Sequence, residues 1–368
     1  MKKILTVLGA RPQVIKSAAI TRVIQSEFVH QLQEIVLNTG QHYDANMNSV
    51  FFEELFLPVP KYDESIDLEQ PFPINQMISG IEKAIKIENP DVILVYGDTN
   101  STLAGAISAV KNDIPLVHVE AGLRSFNMDM PEEGNRILTD HSSRLLFSPT
   151  YEGIRNLKRE AIDDSRVFHC GDIMYDNSLY YHEKAKIKSS ILQDYGLIKE
   201  RYMLLTCHRP SNTDSKENLV EIFNAVKALS EKSNKKIVFP IHPRTKKQIL
   251  KLFGKSFLEE ELRDFLLFPP VSFLDTIMLI SNADIIITDS GGIQKEAYFF
   301  NKKSLILRGE TEWIEIIDEK AAILVGAEKE RIIDGYTKIK TLKPSFKPIF
   351  GDGMAGSFIC KTILNEIT

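Results

Sequence analysis

Cysteine and tryptophan are scarce in this chain, with three of the first and one of the second among 368 residues. Cys170, Cys207 and Cys360 are odd in number, far apart and never spaced as CxxC. That pattern excludes a disulfide framework or a zinc ribbon and fits a reducing cytoplasm. Long hydrophobic runs are missing too, since no stretch approaches the roughly 20 residues that cross a bilayer. The opening MKKILTVLGA is a short run leading into RPQVIK, so it reads as a first strand and not as a cleaved leader. Positive charge is not in excess: the net charge of −5 provides no basic field to recruit nucleic acid. Neither HxH nor HExxH occurs, and the loop after the first strand lacks GxGxxG. Neither a metal centre nor a nicotinamide cofactor is therefore indicated.

What is present is an alternation. KILTVLG, EIVLNTG, DVILVYGD, PLVHVEAG, RLLFSPT and RVFHCGD read as buried strands, with helical periodicity between them at 13–27, 73–88 and 101–112. The pattern resumes with YMLLTCHR, KIVFPIHP, FLLFPP, ADIIITDS, KSLILRG and AAILVG. Such alternation predicts an α/β protein whose parallel sheets are covered on both faces. The polar helical stretch after residue 172 marks a change of domain. The reading is two Rossmann-like domains, 1–172 and 173–348, with a closing helix in 349–368. In open α/β sheets ligands bind beyond the carboxyl ends of the strands, so the polar residues there carry the functional information.

In the first domain these are Arg11 and Lys16 after strand one, Asp98 in GDTNST, Glu120 in HVEAGLR, and Glu132 and Arg136 in PEEGNR. Pro12 suits the first turn of a helix, whose free amides with Arg11 would attract an anion. A solvated arginine at an ordinary helix start fits equally well. Crowded carboxylates in a closed site repel one another and lose solvation, which would raise at least one pKa and create an acid/base group. Asp98 and Glu132 also fit as acids favoured by helix dipoles, whereas no helix directly follows Glu120. Arg136 could hold a carboxylate or a phosphate. In the second domain, TDSGGIQKEA offers Ser290, Gly291 and Gly292 at a helix start, a phosphate cradle or simply a capped turn. Glu296 is placed to accept two ribose hydroxyls. His208 and His242 each follow a strand and precede an arginine within two residues, Arg209 and Arg244, which suggests anion contacts or two structural histidines. His118 and His141 read as structural.

Taken in order, GARPQ, TGQHYD, YGDTNST, HVEAGLRS, MPEEGNR, TCHRP, IHPR and TDSGGIQKEA resemble the non-hydrolysing UDP-N-acetylglucosamine 2-epimerases over nearly the whole chain. The resemblance implies a GT-B fold, a UDP-sugar between the domains, a homodimer, and no obligatory cofactor or metal. It implies inversion of carbon 2 of a UDP-2-acetamido sugar by loss and re-addition of UDP, for surface polysaccharide synthesis. It makes Asp98, Glu120 and Glu132 the acid/base groups and His208 the residue assisting UDP departure. Arg11, Lys16, Arg136, His242, Ser290, Gly291, Gly292 and Glu296 become substrate contacts, with Phe273 near the uracil. A glycosyltransferase of the same fold and a hydrolysing epimerase are the alternatives.

Where enzymes acting on UDP-N-acetylglucosamine commonly show GDTTTT and TTERPE, this chain reads GDTNST and ETEWIE. Asn100, Ser101 and Trp313 therefore resemble the subgroup acting on UDP-2,3-diacetamido-2,3-dideoxyglucuronate. Tyr43 follows Gln41 and His42 where regulated enzymes carry an arginine, and no Arg or Lys lies between Glu64 and Gly80. Allosteric activation is accordingly not expected.

Overall fold

The computed structural model describes residues 1–41, 52–63 and 74–367. His42, Tyr43 and residues 64–73, on which the regulatory reading turned, lie outside them. Contacts divide the chain into unit 1, Met1–Leu179 with Pro348–Thr368, and unit 2, Tyr180–Lys347.

Among the described residues, unit 1 holds β1 (Lys2–Leu8), β2 (Leu32–Asn38), β3 (Tyr62–Asp63), β4 (Val92–Tyr96), β5 (Leu116–Val119), β6 (Leu145–Ser148) and β7 (Val167–His169). They form one parallel sheet in the order β3-β2-β1-β4-β5-β6-β7. Unit 2 holds β8 (Tyr202–Thr206), β9 (Lys236–Pro240), β10 (Phe265–Phe268), β11 (Ile285–Thr288), β12 (Lys303–Ile306) and β13 (Ala322–Leu324). These run parallel as β10-β9-β8-β11-β12-β13. The central strands are mostly apolar because both faces are covered. On β8, Tyr202 and Leu204 pack with Val238, Leu279 and Ile286, whereas Met203 and Leu205 face Phe223 and Phe239.

Both sheets therefore follow the Rossmann order, in which the direction of winding reverses beside the first strand. In unit 1 that reversal lies between β1 and β4, with Thr6 opposite Leu94. In unit 2 it lies between β8 and β11, with Thr206 opposite Thr288. Helices on either side of such a point diverge, leaving a crevice over the strand ends. GARPQ and GDTNST meet at one reversal, and TCHRP and TDSGG at the other.

The tail returns to unit 1. Helix Ala355–Glu366 packs on helix Arg11–Glu27, and Lys2 Nζ donates to the Leu364 carbonyl at 3.1 Å. A Cβ on Gly356 would stand 3.3 Å from the Ala19 carbonyl, so glycine permits this approach. The loop before the helix spells GDGMAG, a literal GxGxxG, but no strand feeds it. Its helix start already faces an anion of the protein itself, for the Gly356 amide donates to Asp176 Oδ2 at 2.8 Å. Burial pushes the Asp176 carboxyl up to about 6, against the opposing pull of the Gly356 and Ala355 amides.

Candidate active site

In unit 1 the first loop is fixed from beneath by Gln13. Its Oε1 accepts the amides of Gly9 and Ala10 at 2.9 and 3.1 Å, and its Nε2 donates to the Tyr96 carbonyl at 2.9 Å. The loops after β1 and β4 are thus tied through one buried amide side chain. Gly9 has no room for a side chain, because a methyl group would collide with Ser101 Oγ and Thr39 Oγ1. Ser101 is itself buried, bonded to Thr39 Oγ1 at 2.7 Å and to Gln41 Oε1 at 2.8 Å. Ser101 thus supports the first loop from within.

The carboxylates are arranged by cations. Lys16 Nζ pairs with Glu120 Oε2 above Gly97. Arg136 Nε donates to Asp98 Oδ2 at 2.9 Å while its Nη1 donates to Glu133 Oε2 at 2.8 Å. The Glu120 and Asp98 carboxylates thus each have a cation as partner. Thr99 caps helix Asn100–Lys111, accepting the Thr102 amide at 3.3 Å, which leaves the Asp98 side chain to Arg136. Glu120 adopts a left-handed φ of 76°. That conformation costs a non-glycine residue about 1–2 kcal/mol and marks a position the surroundings enforce. The Glu120 amide bonds to the Phe147 carbonyl at 3.0 Å on β6.

Helix Pro131–Ser142 presents its two leading acids differently. Glu132 is exposed, whereas Glu133 is buried and accepts from the Ser125 amide and hydroxyl, the Phe126 amide and Arg136. Burial alone would raise the Glu133 carboxyl, but those donors prevail and hold it below the usual range. Beneath the carboxylates His118 is completely buried, its ring nitrogens 2.7 Å from Asp140 Oδ1 and 2.7 Å from the Gly97 carbonyl.

In unit 2, Asp289 organises the reversal point. Its carboxylate accepts the amides of His208 and Arg209 at 3.0 Å each and the Asn212 side chain at 3.1 Å. His208 Nδ1 lies 3.4 Å from Asp289 Oδ1, which turns the rest of the ring outward. Sequence reasoning passed over Asp289, although an acid directly after β11 was visible in TDSGG. Ser290 caps helix Gly291–Phe299, and Gly291 and Gly292 leave the first amides bare of side chains. Around that helix start stand Glu312 Oε2 and Trp313 Nε1, each 3.6 Å from where a Gly291 Cβ would be, and Arg209 Nη2 at 3.9 Å. Gln294 Nε2 is a buried donor without a hydrogen-bond partner, while its Oε1 accepts from Thr311 at 2.6 Å. Glu296 is buried in the same helix.

Three further residues of unit 2 have the following settings. His242 is a helix cap, its Nδ1 accepting the Arg244 amide at 3.2 Å, although its ring lies 5.7 Å from that of His208. Arg244 is held by both oxygens of Asp214, at 2.9 and 2.7 Å, and does not repeat the setting of Arg209. Phe273 is 3% exposed and packs edge-on against Tyr181, so its ring serves the core.

The site thus offers an uncovered helix start beside Arg209 in one unit and cation-held carboxylates in the other. The pattern of the UDP-N-acetylglucosamine 2-epimerase family matches residues 26–364. A UDP-2,3-diacetamido-2,3-dideoxy-D-glucuronate 2-epimerase from Pseudomonas aeruginosa is 41% identical, with 98% of each chain covered. A UDP-N-acetylglucosamine 2-epimerase homolog from Methanococcus maripaludis is 45% identical over 99% of each. The crystal structure of Methanocaldococcus jannaschii UDP-GlcNAc 2-epimerase in complex with UDP-GlcNAc and UDP superposes with a TM-score of 0.88, at 38% identity over 99% of both chains. The chain belongs to the UDP-N-acetylglucosamine 2-epimerase family. It is a UDP-sugar 2-epimerase of the non-hydrolysing type with two parallel-sheet α/β units of GT-B type, as the ordered motifs implied.

Proposed function

We propose that this enzyme inverts carbon 2 of UDP-N-acetylglucosamine by eliminating and re-adding UDP. The observation that carries the reading is the charge arrangement at the two reversal points. In unit 2 the helix start at Ser290–Gly292 neutralises phosphate, Glu296 receives the ribose hydroxyls, and His208, oriented by Asp289, assists departure of the diphosphate. In unit 1, Asp98, Glu120 and Glu132 serve the proton transfers, with Arg11, Lys16 and Arg136 as their cationic setting.

One carboxylate takes the C2 proton, the C–H pair becomes the C1=C2 double bond, and the C1–O bond breaks with its electrons leaving on UDP. Return of a proton to the opposite face and of UDP to C1 completes the inversion. Lys16 and Arg136 fix where the Glu120 and Asp98 carboxylates stand. His242, whose ring lies 5.7 Å from that of His208, contacts substrate or UDP, and Phe273 stands near the uracil.

A second reading of the sugar, UDP-2,3-diacetamido-2,3-dideoxyglucuronate, is supported by Trp313 standing beside the phosphate cradle. The Pseudomonas relative acts on that sugar by name. Incubating the enzyme with each UDP-sugar in heavy water decides between them. The true substrate acquires deuterium at C2 and forms its epimer. No C2 exchange with either sugar would overturn the epimerase reading, and accumulating free sugar would replace it with the hydrolysing reaction. Family membership also supports a homodimer, testable by sedimentation. The free cysteines support residence in the cytoplasm. No described helix is long and apolar enough to cross a membrane.

A further inference from the structure

The structure assigns a positioning role to His118 and Asp140, which lock together the two strand-end loops that carry Asp98 and Glu120. The carbonyl of Gly97 can only accept, so the His118 nitrogen 2.7 Å away, Nε2, must donate to it. The other nitrogen faces Asp140 Oδ1 at 2.7 Å. Asp140 Oδ2 is already used by the Gly122 amide at 3.1 Å and by Arg124 Nη2 at 2.8 Å, both donors that favour an ionised acid. Each ring nitrogen thus faces an oxygen, one on each of the two anchors. The groups facing it are Asp140 from helix Pro131–Ser142, Arg124 from the loop after β5, and, beyond Arg124, Glu160, which takes Nε and Nη2 at 2.6 and 2.7 Å. Arg124, held by Glu160, thus gives Asp140 a cationic partner within a buried network.

The consequence for chemistry is geometric. Gly97, at φ 65°, precedes Asp98, and Gly122, at φ 80°, closes the turn that begins with Glu120. One buried pair grips the backbone at both places, the Gly97 carbonyl through His118 and the Gly122 amide through Asp140. Displacement of an acid/base group by about 1 Å can cost roughly 100-fold in rate. Loss of either member should therefore lower turnover more than binding.

The activity arm rests on the epimerase reading, and wild-type C2 exchange must first be observed. His118→Gln, Asp140→Asn and the double variant are then compared in kcat and KM, with UDP-binding stoichiometry from calorimetry. Each single change is expected to lower kcat roughly 10- to 100-fold with KM within about threefold. The double variant should be no slower than the slower single one, because the pair acts as a unit. Wild-type kcat, or a loss matched by lost UDP-binding sites, would overturn the role. The second arm is independent of activity and of whether the variants fold. In nitrogen-15 spectra of wild-type protein labelled at histidine, one ring should show a slowly exchanging Nε2–H signal, the donor to the Gly97 carbonyl. Absence of such a ring overturns the geometry whatever the assays give.

Discussion

Removing the charge of Asp176 should make the protein respond differently to pH, and the size of the effect follows from its setting. The side chain is 8% exposed, takes the Gly356 amide on Oδ2, and leaves Oδ1 buried without a hydrogen-bond partner. Burial comes first among the causes that raise its pKa from 3.8 to about 6, and Asp172 adds to it. A carboxyl whose affinity for protons is raised by folding contributes stability that is complete below pH 3.8 and is lost as pH climbs through about 6. At about 1.36 kcal/mol per tenfold change in proton affinity, the loss is about 3 kcal/mol. Asp176→Asn keeps an acceptor for Gly356 but cannot ionise. Its stability relative to wild type should therefore improve by up to about 3 kcal/mol between pH 4 and pH 7. The measurement is urea unfolding across that range, followed by hydrogen exchange at the Gly356 amide, which reports unit 1. Trp313, the single tryptophan, lies in unit 2, so its fluorescence provides an internal control. A stability difference that stays constant with pH would refute the reasoning, whatever its absolute value.

Asp98→Asn and Glu120→Gln should each lower kcat by about 100-fold or more while UDP affinity changes little, as steady-state kinetics with calorimetry will show. Glu132→Gln should do the same through its exposed carboxylate, and wild-type turnover would remove it from the mechanism. Glu296→Ala should weaken UDP binding about tenfold or more, and unchanged affinity contradicts the ribose contact. Gly9→Ala should destabilise unit 1 by about 1–3 kcal/mol through collision with Ser101 and Thr39. An unfolding midpoint equal to wild type would show that the loop yields.

Strand and helix placement was legible because β-branched runs buried on both faces cannot be mistaken for amphipathic helices. The positions of Asp98, Glu120 and Ser290 at strand ends were legible for the same reason. β3 was not, since Tyr62–Asp63 is too short to show a period. Partners separated by tens of residues also escaped notice. Nothing in GDTNST says that Ser101 turns inward to Thr39, or that Arg136 spans from Asp98 to Glu133. His118 read as structural from its place in a strand. Its bond to the Gly97 carbonyl depends on β4 and β5 being neighbours, a fact of topology and not of local sequence. Trp313 was visible as a departure, but its place beside the phosphate cradle required the fold.

Unit 1 is discontinuous in sequence, and this has a consequence for synthesis on the ribosome. Helix Ala355–Glu366 covers helix Arg11–Glu27, yet the whole of unit 2 is translated between them. At roughly 5–20 residues per second, the first-made strands wait on the order of tens of seconds with that apolar surface uncovered. Unit 2, whose residues are contiguous, can close while still tethered. The last-written turns of the chain therefore complete its first-written half, and a nascent chain stalled before Ala355 should be the form most in need of a chaperone.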